Sequence, residues 1–157
     1  MPNKEIEHII YQLRNAYEGE PWFGRSLRSI LLEVKAADAL KKEKGKHSPL
    51  QLLWHMITWR EFTIDRLKPL SEQKDEDYFD AMDWREMDHT DATLWQKGLE
   101  KLQQLQDELI ALLHKKEDTF LEEKVKERNY NFRKLLHGVV QHDIYHLGQI
   151  AFINKSS

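Results

Sequence analysis

Apolar side chains recur at steps of three and four along most of this 157-residue chain, the spacing of one face of an α-helix and not the alternation of a strand. Ile6, Ile10, Leu13 and Tyr17 predict a first helix over about residues 3–18, which Gly19 and Pro21 close. Leu27, Ile30, Leu31 and Val34 predict a shorter helix, followed by a solvated lysine-rich connection from Lys41 to Lys46. Ser48, Pro49 and Gln51 then stand at the N-cap, first and third positions of a capping box. They open a helix expected over Pro49–Leu70, with Leu52, His55, Met56, Trp59 and Phe62 facing inward. Trp95, Leu99, Leu102, Leu109 and Leu113 mark a long helix from about Ala92 to Lys115. A last helix is expected over Phe132–Asn154, with Asn131 as its N-cap.

Two stretches lack this periodicity. Residues 71–91 carry nine acidic side chains (Glu72, Asp75, Glu76, Asp77, Asp80, Asp83, Glu86, Asp88 and Asp91) against Lys74 and Arg85, and read as a long acidic loop pinned by Tyr78, Phe79 and Trp84. Residues 117–130 read as mostly irregular. Four substantial helices and one short one without a convincing strand predict an all-α helical bundle, and the chain length suits one domain over residues 1–157.

Composition narrows the function classes. With 24 Lys and Arg against 27 Asp and Glu, the net charge of −3 offers no basic surplus for nucleic acid or an anionic membrane. No apolar run approaches the eighteen or so residues of a membrane span, and the amino terminus carries mixed charge, so a cytoplasmic protein is expected. The absence of cysteine excludes disulfides, thiolate metal ligands and a catalytic thiol from the chain itself. Any metal must therefore be held by nitrogen and oxygen.

His142 and His146 interrupt the apolar stripe formed by Leu135, Val139 and Ile150 on the last helix. Side chains four apart lie on one helix face, close enough for both rings to reach one ion. His55, inward on another helix, makes a third. Burying three imidazoles with unpaired nitrogens is costly, and one shared cation satisfies all of them. Three neutral imidazoles leave a coordination position open, the arrangement of a catalytic centre. Such a centre lowers the pKa of bound water to about 7 and deprotonates a bound thiol, which here would have to arrive as a small-molecule cosubstrate. Zinc, nickel, iron and copper all suit nitrogen donors.

The other histidines carry weaker expectations: His8, His89 and His114 fall near surface or loop positions, His47 precedes the N-cap, and His137 lies off the ligand face. Asp143 invites comparison with the His-Glu-x-x-His peptidase helix, but aspartate is one methylene shorter, and a supporting or helix-surface role is expected instead. Gln149 reads as a pocket or packing residue. Gly148 in a helix interior suggests close approach of another backbone. Trp22, Trp59 and Tyr145 are candidates to line a cavity.

The segment His137-Gly-Val-Val-Gln-His142-Asp-Ile-Tyr-His146-Leu-Gly-Gln-Ile150 resembles the closing helix of the DinB-like, or YfiT-like, metalloenzyme superfamily. Ser48-Pro-Leu-Gln-Leu-Leu-Trp-His55 resembles its first-ligand helix, and Trp22-Phe-Gly-Arg-Ser-Leu27 the region after its first helix. The resemblance implies a four-helix bundle with a long crossover and one short extra helix, a divalent metal held by His55, His142 and His146, and a homodimer. Relatives include transferases and isomerases that use low-molecular-weight thiols. The expected function is thus a metal-dependent S-transferase joining a small thiol to an electrophile. A hydrolase using metal-bound hydroxide, or a stress-associated metal-binding protein without turnover, are the alternatives.

Overall fold

The computed structural model describes residues 3–156, and among them the chain is all-helical, as the periodicity predicts. Four long helices, α1 (Lys4–Glu18), α4 (Pro49–Arg66), α6 (Thr93–Leu113) and α7 (Phe132–Ser156), are joined by α2 (Leu27–Glu33), α3 (Ala36–Ala39) and α5 (Glu76–Met82). The long helices touch in a ring, α1 to α7 to α4 to α6 and back to α1, while α2 lies against α1 and α7. The only β-pairing among the described residues is an isolated antiparallel bridge between Lys124 and Asn131.

The start and end of α4 and the start of α7 have local causes. The capping box of α4 forms as the sequence predicts: Gln51 N donates to Ser48 Oγ at 3.1 Å, and Ser48 N to Gln51 Oε1 at 3.0 Å. This helix stops at Arg66 and not near Leu70, because Lys68 precedes Pro69 and the ring disfavours helical backbone in the residue before it. A 3-10 turn, Leu70–Glu72, follows. The N-cap of α7 is as expected, with Lys134 N donating to Asn131 Oδ1 at 3.0 Å. The first helix is capped from afar. Asn3 forms no side-chain cap, and Asp118, in the 3-10 turn Asp118–Glu122, accepts from Glu5 N at 3.1 Å and Ile6 N at 2.9 Å.

The fourth helix is central, packed most extensively on α6 and next on α7. Leu50, Leu53, Ile57, Phe62 and Ile64 are all buried, and so are Arg60 and Arg66. Such burial around most of its circumference reflects contact with four other helices, α3, α5, α6 and α7, and turns no single stripe toward the core. Close approach of α4 and α6 depends on Gly98. A Cβ there would stand 2.6 Å from Leu53 Cδ2 and 3.0 Å from Trp54 Nε1. The close approach expected at Gly148 is not found, since nothing lies within 4 Å of its Cβ position.

The acidic stretch is more ordered than a loop. Its centre forms α5, anchored by Phe79, which is buried edge-on against Phe62 with ring centroids 5.3 Å apart. The residues after it bring Asp83 and Trp84 against His55 of α4.

Candidate metal centre

His55 on α4 and His142 and His146 on α7 meet with their Nε2 atoms facing one another. His142 Nε2 stands 3.0 Å from Nε2 of His55 and 3.0 Å from Nε2 of His146. His55 and His146 are buried. Four residues along α7 separate its two rings by one turn, and the α4–α7 packing supplies the third.

The outer nitrogens decide what the inner ones can do. His55 Nδ1 donates to Asp83 Oδ1 at 2.5 Å, and His146 Nδ1 donates to Gln149 Oε1 at 2.6 Å. Both acceptors hold the ring proton on Nδ1, so each neutral ring presents a bare lone pair at Nε2. Burial pushes all three histidines toward the neutral form. It is the largest cause for His142, whose pKa falls to about 3 with His146, His55 and Arg60 adding to the shift. For His55 and His146 burial again dominates the downward shift, opposed by the hydrogen bonds to Asp83 and Gln149. One hydrogen on His142 Nε2 cannot serve two lone pairs well, whereas a cation satisfies all three donors. Metal–nitrogen bonds of about 2.0–2.1 Å place neighbouring donors roughly 3 Å apart, so the spacing fits a divalent ion. Among the described residues these three are the group of His, Asp and Glu side chains able to hold one.

A tryptophan covers the centre. The Trp84 ring lies between those of His55 and His47, 3.8 Å from each and within 10° of parallel. Its backbone is left-handed, with φ of 45°, a conformation costly for a bulky residue and held here by neighbours. Trp84 N donates to the same Asp83 Oδ1 that His55 uses, at 3.1 Å. Arg85 donates to Met82 O and to Thr58 Oγ1, fastening the turn to α4.

Asp143, between the two histidines in sequence, points elsewhere. Arg60 grips both its oxygens at 2.6 and 2.7 Å, and the pair is almost completely buried. Arg60 also donates to Gln106 Oε1 at 2.7 Å, and Gln106 Nε2 to Leu13 O at 3.2 Å, so the network ties all four long helices together. Asp143 is therefore neither a surface residue nor a general base with a free oxygen.

Of the remaining sequence candidates, Gln149 proves to be a ring partner, and Trp59 lines a cavity of about 300 Å³ between α4 and α7 that has His142 in its wall. Trp22, although fully exposed, lines a separate pocket with Phe23, His137 and Val140, and Tyr145 is two-thirds exposed. His89 bonds Ser48 Oγ at 2.9 Å, His8 pairs with Gln12, and His137 lies 3.9 Å from Glu5. None of these three reaches the centre. Asp83 and Trp84 are the site residues that sequence reasoning missed, because nothing local separates Asp83 from eight other acids in its segment.

Residues 23–150 match the family model described as the DinB superfamily, a span that holds all three histidines. The chain belongs to the DinB superfamily. Searches of curated proteins and of solved structures return no match. In this DinB-superfamily protein the buried histidine triad could hold a metal ion, and no helix among the described residues is long and apolar enough to cross a membrane.

Proposed function

We propose that this protein is a metal-dependent enzyme, an S-transferase that joins a low-molecular-weight thiol to an electrophile. The observation that carries the reading is the set of three convergent Nε2 atoms, with the outer nitrogens of His55 and His146 already bonded and no fourth His, Asp or Glu in the group among the described residues. His55, His142 and His146 would hold a divalent cation (zinc, nickel or iron), which when bound would lower the pKa of a thiol or water beside it. Asp83 and Gln149 keep the ring protons on Nδ1 and so fix both tautomers and orientations. Trp84 shields one face of His55 from water.

Since the chain has no cysteine, the thiol would come from solution. In such a transfer the sulfur–carbon bond forms as the bond to the leaving group breaks, and the thiol proton passes to solvent. A basin of about 500 Å³ bordered by His47 and Gln149 offers room for such a thiol, and of its three lysines Lys41 is paired with Asp38 and Lys46 with Glu43.

Protein loaded in turn with each metal is expected to consume 1-chloro-2,4-dinitrobenzene only when a thiol is supplied, and His146→Ala should abolish that turnover. Turnover of ester substrates without thiol would replace the transferase with a hydrolase. Stoichiometric metal binding without turnover of any kind would make the protein a binding module. The same reading takes residues 1–157 as one domain that works in the cytoplasm as a homodimer. Exposed Trp22, Tyr145 and Phe152 supply apolar surface for a second copy, and light scattering checks the mass.

A further inference from the structure

The cavity between α4 and α7 is lined chiefly by Met56, Trp59, Leu135 and Val139, with His142 in its wall and Gly138 on the α7 side. Its buried charged lining is already spent, since Arg60 and Asp143 bind each other through two hydrogen bonds, and the remaining charge is that of the exposed Lys134, which lies over the Tyr130 ring at 5.8 Å. Thr63 Oγ1 donates to Trp59 O at 2.8 Å. The buried side-chain atoms that lack partners among the described residues, on Asn3, Arg66, Gln73 and Arg128, belong to none of its lining residues. Apart from the His142 ring and the half-buried Tyr130, a ligand here would meet chiefly apolar side chains, so the chemistry that fits is hydrocarbon.

Gly138 sharpens the point. Glycine weakens a helix interior, yet nothing lies within 4 Å of the position its Cβ would take, so no close packing requires it. What its missing side chain leaves is open space beside the cavity.

We propose that this cavity holds the hydrocarbon part of the electrophilic substrate, with the reacting group turned toward His142, and that Gly138 sets its size. The assignment rests on the transferase reading for the words electrophilic substrate; the apolar pocket itself does not. Binding of n-alkanols from butanol to octanol to the metal-free protein, followed by amide NMR shifts, tests it without metal, thiol or turnover. Affinity is expected to rise roughly fourfold per methylene until the cavity is full, with shifts centred on Met56, Leu135 and Val139. Gly138→Leu should weaken octanol binding at least tenfold while its melting temperature stays level or rises, and Gly138→Ala should fall between. Affinity independent of chain length, shifts centred elsewhere, or wild-type binding by a folded Gly138→Leu protein would each overturn the proposal. Alkanol binding in a protein that shows no thiol-dependent turnover would leave the pocket standing and remove only the transferase.

Discussion

Asp83 is not itself one of the three candidate ligands, yet it sets two things at once. One oxygen accepts both the His55 ring proton and the Trp84 backbone N–H. Asp83→Ala should therefore free the His55 ring to rotate and cost about 10–100-fold in metal affinity, measured by competition with a chromophoric chelator. An unchanged affinity would mean that packing alone aims the ring. Arg60 makes a different kind of contribution. Its guanidinium and the Asp143 carboxylate are buried together, so Arg60→Met leaves a buried carboxylate uncompensated and should cost about 3–5 kcal/mol in urea unfolding. Adding Asp143→Leu should recover most of that loss, because a well-packed apolar pair is often as stable as a buried ion pair.

Glycines separate two roles at the level of the helix. Gly98 is needed where α6 approaches α4, and Gly148 has open space around it. Gly148→Ala should raise stability by about 0.5–1 kcal/mol through helix propensity. Gly98→Ala should lower it, since overpacking costs about 1–3 kcal/mol against the same gain. Paired thermal melts of the metal-free variants check the opposite signs. Spacing in the sequence made α1, α4, α6 and α7 readable to within a few residues, because each carries several turns of repeated apolar positions. It could not reveal α5, whose seven residues bury only Phe79. Nor could it tell which glycine faces a neighbour, since Gly98 and Gly148 are both helix-interior residues and only the packing distinguishes them. His55 was legible as inward because Leu52, Trp59 and Phe62 share its face, whereas Asp83 and Trp84 lie outside any periodic element and reach the site through tertiary contacts.

For the molecule as a whole, the triad joins α4 to α7 across 87 residues of chain. A cation bound there would act as a cross-link present only in the folded state. Saturating zinc should thus raise stability by mass action, by about 4 kcal/mol at a thousand times Kd, and the rise should vanish in His142→Ala. A metal-insensitive melting temperature in the wild type would exclude binding at the triad. The arrangement of Asp118 over the start of α1 has another consequence, one for how the protein is made. On a ribosome, the opening helix emerges long before the carboxylate that finishes its first turn has been translated. The amino-terminal segment should stay frayed on nascent chains halted before residue 118, and become protected from protease once that aspartate has cleared the exit tunnel.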